Sequence, residues 1–401
     1  MRRRMGATDR ALLWCIGGFP QNKTGAHRIR KELINSIASS SKLSTDARFA
    51  LVVMHDGSID CKTLKDGSPF LADTRCTSLP PLAPLLDDGP GSRAVCKVGP
   101  RQLMANILYL TQVAPDLLNL NKTVADFFSY RFRDKRTMAS GNSSIAKRDD
   151  TITKSHGPMH AELLGLGAWY RYFVHLMLPY GLERILYVDA DTCTMRSLGP
   201  ILASNESAPL VVARREVAPV QERVMMRDFK GLNGAALKAA HDLFGFNMWQ
   251  EPLSFNNGVM LFNLVPYCLH GIWEKMQLFT TRHAMRGTRM FHAMADIHGG
   301  GSALGDNDVV VVVARAVSHF VGAEWNCRQP VQFNTRKTRE GVRCRIMHAH
   351  ETNGDGSNMR WMPAGSKNFC GARLAASWTA SRALATNTTK GKEPLHDTTS
   401  Q

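Results

Sequence analysis

The sequence has none of the short motifs that mark several common functional classes. No two of its nine cysteines stand in C-x-x-C spacing, which argues against a structural zinc site. No run of five or more Lys and Arg residues occurs, and the aromatic residues do not alternate with basic ones as they do on nucleic-acid-binding surfaces. We therefore expect neither a structural zinc ion nor a nucleic-acid partner.

Long hydrophobic runs are also missing. A membrane-spanning helix needs about 20 consecutive apolar residues. The basic start of the chain, Met-Arg-Arg-Arg, is followed by an apolar run only at residues 11–16, and Gly17, Gly18 and Pro20 end that run. We expect no transmembrane span in this chain, so if the protein works in a compartment such as the Golgi, its anchor would be missing from this chain or replaced by a partner.

Acidic residues are few compared with basic ones. The 401 residues contain 34 Asp and Glu against 50 Lys and Arg, which gives a formal net charge of +16. A field of that sign attracts phosphates, nucleic acids or acidic glycans. With nucleic acid disfavoured, we expect phosphate-bearing small molecules first, and a solvated basic surface without a specific partner is the alternative.

Cysteines and glycosylation sequons bear on the compartment. Cys61, Cys76 and Cys96 share one irregular stretch, and three further cysteines lie between 327 and 370, which suits disulfides in an oxidising lumen as well as it suits free buried thiols. Five N-x-S/T sequons occur where chance would give about two or three. These features favour the Golgi or another secretory lumen, with the cytoplasm as the alternative.

Apolar segments alternate in the order typical of an α/β protein. The patterns predict a strand at 11–18, a helix at 27–39 and a strand at 49–54, which indicates a parallel sheet. A helix is predicted at 162–178, followed by a strand at 184–188. Other predicted elements are a helix at 102–120 and strands at 210–213, 258–264, 309–313 and 345–348.

Composition also predicts how the chain is divided. Residues 1–10 are expected to form a basic N-terminal tail, and 11–364 a single large domain. The stretch from about 57 to 100 is rich in Pro, Gly, Asp and Ser and is expected to be an irregular surface insertion. Residues 365–401 are polar and rich in small side chains, so we expect a disordered C-terminal tail.

An acidic triplet, Asp189-Ala190-Asp191, follows the strand predicted at 184–188. Ligands of open α/β sheets collect at the carboxyl ends of the strands. Two carboxylates at this spacing can aim oxygens at one hard cation that also binds a diphosphate. The triplet alone is weak, because about one such triplet is expected by chance and a second stands at 306–308.

The surrounding segments resemble glycosyltransferase family 8. Residues 184–191 (RILYVDAD) are similar to its "hhYLDADxxV" segment, and 254–264 (SFNNGVMLFNL) to "YFNSGVMLINL". Looser matches, in the same order, are WYRYF at 169–173 with Leu-Pro at 178–179, GDND at 305–308, EWN at 324–326 and IMH at 346–348. The likeness covers roughly residues 12–361, excepting 57–157.

The resemblance implies a GT-A type nucleotide-sugar-binding fold, with a mixed, mostly parallel central sheet flanked by helices. It implies a retaining glycosyltransferase that moves a hexose or pentose from a UDP-sugar donor to a hydroxyl of a glycan, glycoprotein or other acceptor. Asp189, Asp191 and His348 would ligate Mn²⁺, with Mg²⁺ as the alternative. His350 competes with His348, because both lie on the same face of an extended segment.

Further roles follow from the same resemblance. Arg171 would point towards the acidic pair and the donor, and Asp306 would bind a sugar hydroxyl. Asn307 would lie beside the anomeric carbon, and because an amide is a weak nucleophile it favours front-face displacement over a covalent intermediate. Donor contacts are expected from Gly17, Gly18, Ala190, Asn256, Asn257, Gly258 and Arg360, the last replacing a lysine of the family.

Two other functions fit parts of the sequence. A haloacid dehalogenase-type phosphatase has an apolar strand that ends in D-x-D-x-T and a later acidic motif, as at 188–192 and 305–308. That alternative leaves the segment at 254–264 unexplained. A non-catalytic sugar-binding relative would keep the fold, and the altered segment after His348 is compatible with it.

Overall fold

The apolar segments of the chain form the strands of one large sheet. The computed structural model describes residues 6–17, 23–44, 48–67, 69, 71–82, 96–113, 169–214, 238, 241–247, 255–279, 306–327 and 344–348, without the side chains of a few of them, such as those at 23–29 and 306–308. These residues belong to a single unit that spans Met1–Ala349. The predicted C-terminal tail at 365–401 lies outside the described residues.

Strands and helices alternate along this unit. The strands are β1 (Ala7–Thr8), β2 (Arg10–Ile16), β3 (Ala50–His55), β4 (Cys76–Ser78), β5 (Leu103–Met104), β6 (Leu108–Gln112), β7 (Arg184–Val188), β8 (Thr192–Thr194), β9 (Leu210–Arg214), β10 (Phe255–Asn263), β11 (Ser318–Val321) and β12 (Ile346–His348). Among the described residues, the α-helices are α1 (Lys23–Leu43), α2 (Cys61–Asp66), α3 (Gly199–Leu202), α4 (Leu264–Leu269), α5 (Ile272–Phe279) and α6 (Asp306–Ala314). In the same part of the chain, 3-10 helices span Arg171–Tyr180, Arg315–Val317 and Ala323–Trp325.

Eight strands form the central sheet in the order β11-β9-β10-β7-β2-β3-β6-β4. Its neighbouring pairs are parallel except for the two that β10 makes with β7 and β9. This mixed, mostly parallel sheet confirms the predicted fold class. Because β10 runs against β7, its first half lies beside the carboxyl end of β7, with Val259 opposite Val188.

The core of the sheet lies around β7 and β2. In β7 the side chains of Ile185, Leu186, Tyr187 and Val188 are at most 2% exposed. Such a strand carries an uninterrupted apolar run because both of its faces are covered. It therefore delivers the residue after Val188 to a fixed position at the carboxyl edge of the sheet.

A separate two-stranded sheet lies at that edge, in addition to the one that β1 forms with β5. β8 pairs antiparallel with β12, so that His348 stands opposite Thr192. The buried face of α1 carries hydroxyl groups that bond β8: Ser36 Oγ lies 2.9 Å from Thr192 Oγ1, and Ser40 Oγ lies 2.7 Å from Thr194 Oγ1. Ser36 also accepts a hydrogen bond of 2.9 Å from the indole of Trp14 in β2.

Disulfides join three pairs of the described cysteines, namely Cys61–Cys76, Cys96–Cys268 and Cys327–Cys344. Cys193 is disulfide-bonded as well. The sequence is compatible with disulfides and with free buried thiols alike. In the structure these cysteines form disulfides. Cys96 pairs outside its own group, with a residue 172 positions later.

Two predicted elements are wrong in type. The helix predicted at 102–120 is instead β5 and β6, as far as the described residues reach, because a short apolar run does not distinguish a buried strand from a helix. The strand predicted at 309–313 is the helix α6, whose residues Val309–Ala314 are at most 2% exposed. Burial on all sides outweighs the strand preference of five consecutive valines.

Other predicted boundaries change as well. The helix predicted at 162–178 is α-helical at residues 169–170 and continues as a 3-10 helix over Arg171–Tyr180, while 162–168 lie outside the described residues. The insertion at 57–100 contains α2 and β4, and β4 is an edge strand of the central sheet. Within the predicted tail, β1 occupies Ala7–Thr8 and β2 begins at Arg10. None of the helices in the described part of the chain combines the length and apolar character needed to cross a membrane.

The glycine that precedes β7 offers a test of this architecture. Gly181 ends the 3-10 helix with a φ of 72°, and a Cβ there would strike the carbonyl oxygen of Arg101. We expect Gly181→Ala to lower the free energy of unfolding by about 2–5 kcal/mol, part from the left-handed backbone and part from displacing that carbonyl. Urea unfolding measures the change.

Gly245→Ala is the matched control. Its φ is 66°, but a new Cβ would make only an ordinary contact, 3.4 Å from Ala316 Cβ. We expect a loss of about 1–2 kcal/mol there, from the backbone alone. Equal losses in the two variants would mean that the contact with Arg101 does not constrain the entry into β7.

Candidate active site

The acidic triplet forms a tight turn between β7 and β8. After Val188 the chain turns through Ala190, and the carbonyl oxygen of Asp189 accepts hydrogen bonds from the amide of Thr192 (3.2 Å) and from its hydroxyl (2.7 Å). The side chains of Asp189 and Asp191 are 24% and 20% exposed. The turn therefore presents both carboxylates at the carboxyl edge of the sheet.

A histidine from the far end of the described chain completes the group. His348 is 3% exposed, and its Nε2 lies 3.4 Å from Asp189 Oδ2 and 3.2 Å from Asp191 Oδ1. One ligand atom from each residue lies within 4.8 Å of the other two. The structure thus brings together the three residues predicted as metal ligands, whereas His350 lies outside the described residues.

The spacing and chemistry of this group fit a divalent cation. Two oxygen or nitrogen ligands that stand at right angles about 2.1 Å from a cation are separated by about 3.0 Å. The imidazole Nε2 lies 3.4 Å and 3.2 Å from the two carboxylate oxygens, which is close to that separation. Two carboxylates and a neutral imidazole carry two negative charges, which a divalent ion would balance. Asp189, Asp191 and His348 therefore form a candidate metal site.

One oxygen of Asp189 is held by the protein itself. Arg171 is 5% exposed, and its Nη1 lies 3.3 Å from Asp189 Oδ1 and donates to the carbonyl oxygen of Asn257 at 2.8 Å. Its guanidinium also stacks 4.3 Å from the ring centre of Tyr187, whose hydroxyl donates to the same Oδ1. The other oxygen, Oδ2, faces His348. Arg171 is thus oriented towards the acidic pair, as the sequence predicts.

Burial keeps Tyr187 a donor. Desolvation raises the pKa of Tyr187 well above its usual value, and Asp189 raises it further while Arg171 opposes the shift. The phenol thus stays protonated and donates to Asp189 at any pH at which the carboxylate is ionised. Sequence patterns missed this residue because Tyr187 lies inside an apolar strand, where an aromatic side chain is normally core.

The sequence predicts that Asn257 contacts the sugar donor, but in the structure its side chain is buried against the 3-10 helix. Its side chain is 7% exposed, and Nδ2 donates to the hydroxyl of Tyr172 at 3.0 Å. Asn257 therefore connects β10 to the 3-10 helix through its side chain, while its carbonyl receives Arg171. The side chain of Asn256 lies outside the described residues.

Gly258 leaves the space that the side chains of Asp189 and His348 occupy. A Cβ at this position would lie 2.5 Å from Asp189 Oδ2 and 2.7 Å from His348 Nδ1. Its carbonyl oxygen accepts the amide of Asp189 at 2.8 Å, so the backbone is held in place. The sequence predicts that this glycine lets the backbone approach the sugar donor. In the structure, its missing side chain leaves room for the carboxylate of Asp189 and the imidazole of His348.

The remaining predicted residues are described in part. Gly17 is buried just beyond β2, the neighbour of β7, while Gly18 and Arg360 lie outside the described residues. Asp306 and Asn307 are the first two residues of α6, and their side chains lie outside the described ones. Asn326, to which no role was assigned, contacts His348: its Oδ1 lies 3.0 Å from the imidazole Nδ1.

No protein-family model matches the chain, and no curated protein sequence matches it. Among solved structures, it is similar to the galactosyltransferase LgtC in complex with donor and acceptor sugar analogs (14% identity, 92% of this chain and 95% of that one, TM-score 0.47). It is also similar to mouse xyloside xylosyltransferase 1 (12%, 85% and 97%, 0.39) and to the glycosyltransferase GlyE of Streptococcus pneumoniae TIGR4 (9%, 86% and 56%, 0.41). With TM-scores below 0.5, the function is inferred from the side chains of this chain.

Replacing the central glycine tests the ligand group directly. We expect Gly258→Ala to weaken Mn²⁺ binding by on the order of 10²-fold, because the new methyl group displaces both Asp189 and His348, and displaced supporting groups alone cost about 10–100-fold. Electron paramagnetic resonance of free Mn²⁺ measures the affinity. Gly6→Ala is the control, since its Cβ would only touch Arg48 at 3.4 Å. Unchanged affinity in Gly258→Ala would show that these residues do not bind the ion.

Proposed function

We propose that this chain is a glycosyltransferase with a GT-A type fold that uses a UDP-sugar as donor. The observation that carries the proposal is the group of Asp189, Asp191 and His348 at the carboxyl edge of a mostly parallel sheet. The glycosyltransferase family 8 resemblance of the sequence supports it. The net charge of +16 is consistent with a negatively charged substrate that carries a diphosphate.

The cation at this site is proposed to be Mn²⁺, with Mg²⁺ as the alternative. When bound, the cation would neutralise the diphosphate leaving group. Arg171 and Tyr187 keep Oδ1 of Asp189 occupied, so that carboxylate turns its Oδ2 towards the ligand site. The protein thereby orients Asp189 before any ion arrives, which limits the reorganisation that the reaction requires.

The transfer is proposed to retain the anomeric configuration and to move a hexose or a pentose. The acceptor hydroxyl, on a glycan, glycoprotein or other molecule, attacks the anomeric carbon from the face that the diphosphate leaves. The new C–O bond forms as the bond to the diphosphate breaks, and a diphosphate oxygen takes the acceptor proton. Asn307 is placed beside the reacting carbon in this proposal, and an amide there is too weak a nucleophile for a covalent intermediate.

Donor binding is proposed to follow from the same arrangement. Gly17, at the end of the strand next to β7, would approach the nucleoside together with Gly18. Asp306 and Asn256 would contact sugar hydroxyls, and Arg360 the diphosphate. We further propose a secretory compartment, which the disulfides of the described residues support because disulfides persist in oxidising lumens.

The phosphatase alternative has less support from the geometry. In that mechanism the first aspartate of the motif attacks phosphorus with a free oxygen. Here Oδ1 of Asp189 is engaged by Arg171 and Tyr187, and Oδ2 lies 3.4 Å from His348. The same geometry suits a carboxylate that acts as a metal ligand.

A panel of UDP-sugars tests the proposal. With Mn²⁺ present, we expect release of UDP from at least one of UDP-glucose, UDP-galactose and UDP-xylose. We expect Asp191→Asn to lower the rate of UDP release by on the order of 10²–10³-fold or more, because the amide lacks the negative charge of the carboxylate ligand. Coupled detection of UDP gives the rate, and titration calorimetry gives metal-dependent UDP binding, which should be lost together with it. The exposed Asp73→Asn is the charge-matched control.

Three results would contradict the proposal in different ways. Full turnover in Asp191→Asn would remove the metal site from the mechanism. Release of phosphate from p-nitrophenyl phosphate with Mg²⁺, without use of any UDP-sugar, would identify a phosphatase. Binding of UDP without hydrolysis or transfer of any donor over days would identify a non-catalytic relative.

A further inference from the structure

The imidazole of His348 is held from behind by a second buried side chain. Asn326 is 5% exposed, and its Oδ1 lies 3.0 Å from His348 Nδ1. A carbonyl oxygen can only accept a hydrogen bond, so the proton of the neutral imidazole resides on Nδ1. The lone pair is therefore on Nε2, the atom that faces Asp189 and Asp191.

The backbone keeps these two residues in register. The amide of His348 donates to the carbonyl oxygen of Cys327 at 2.9 Å, and the amide of Cys327 donates to that of Ile346 at 3.0 Å. The amide of Arg345, one residue before Ile346, donates to the carbonyl oxygen of Glu324, three residues before Cys327, at 2.7 Å. Three backbone hydrogen bonds thus join the segment that carries Asn326 to the segment that carries His348.

A disulfide closes this pairing covalently. Cys327 follows Asn326 directly and bonds to Cys344, which precedes β12 by two residues. Both cysteines are buried, at 1% and 9% exposure. The disulfide, the backbone hydrogen bonds and the contact between Asn326 and His348 all join the same two segments.

We propose that Asn326 is the positioning residue of the metal site and that the Cys327–Cys344 disulfide holds it against His348. Asn326 selects the imidazole tautomer and fixes the ring, and the disulfide prevents the two segments from separating. Cation affinity then depends on residues that never touch the ion. This inference rests on the proposed function, because it assigns the arrangement to the same metal site.

Two substitutions of Asn326 test the contact. Asn326→Leu keeps the volume but removes the acceptor, and we expect the dissociation constant for Mn²⁺ to rise about 10–100-fold, the usual effect of losing a group that orients a ligand. Asn326→Asp keeps an oxygen that accepts from Nδ1–H, so its affinity should equal or exceed that of the natural chain. Paramagnetic resonance of free Mn²⁺ measures both, and thermal unfolding in EDTA measures stability without metal.

A third asparagine variant separates positioning from general destabilisation. Asn263 is equally buried, at 4%, and donates to the carbonyl oxygens of Glu206 and Ala208. Asn263→Leu should lower the unfolding temperature without changing Mn²⁺ affinity. Equal affinity losses in Asn263→Leu and Asn326→Leu, or a loss in Asn326→Asp as large as that in Asn326→Leu, would overturn the inference.

The disulfide is tested against a matched one elsewhere. Cys327 and Cys344 are 17 positions apart, and Cys61 and Cys76 are 15 apart, so removing either bond frees the unfolded chain to a similar extent. We expect the double variant C327A/C344A to lose Mn²⁺ affinity about tenfold, and C61A/C76A to lose none. Equal affinities in the two double variants would show that the disulfide does not hold the site.

Measurements on the unsubstituted protein distinguish a failure of the proposed function from a failure of the proposed role of Asn326 and the disulfide. If it neither binds Mn²⁺ with UDP nor uses a UDP-sugar, the proposed function fails. If it does both while Asn326→Leu and C327A/C344A bind Mn²⁺ as tightly as it does, only the positioning role fails.

Discussion

The ion pair between the buried Arg171 and the partly exposed Asp189 fixes the relative positions of three elements. A charge that is removed from water without a partner costs several kcal/mol, so the guanidinium of Arg171 cannot lose its carboxylate partner without loss of stability. Arg171 belongs to the 3-10 helix, Asp189 follows β7, and the carbonyl oxygen that Arg171 also contacts belongs to Asn257 of β10. The position of the acidic turn is thus determined by the core beneath it.

Long-range connections assemble the rest of the site. The antiparallel direction of β10 places Gly258 beside Asp189, and the pairing of β12 with β8 brings His348 to the same turn from more than 150 residues away. Each of these contacts forms only when distant strands have found their register. The candidate metal site is therefore complete only when both sheets have formed, and no single segment of the chain contains it.

Sequence patterns predicted the parts of this site that lie at the ends of elements. Asp189 could be located because an apolar strand ends directly before it, whereas His348 was predicted only from the resemblance to glycosyltransferase family 8. Tyr187 could not be found, since an aromatic residue in a buried strand is indistinguishable from core until its hydroxyl is seen on a carboxylate. Asn326 stands in an irregular segment, where no periodicity tells which way a side chain points.

The serines on the buried face of α1 have a consequence for how that helix can vary. Apolar contacts tolerate sliding and rotation, because they have little directional preference. The hydroxyl groups of Ser36 and Ser40 meet single atoms of Thr192 and Thr194, and Ser36 is joined to the indole of Trp14 as well. A one-residue insertion or deletion between Ser36 and Ser40 would turn one of the two hydroxyls away from β8, so the spacing of the serines along α1 is as constrained as the serines themselves.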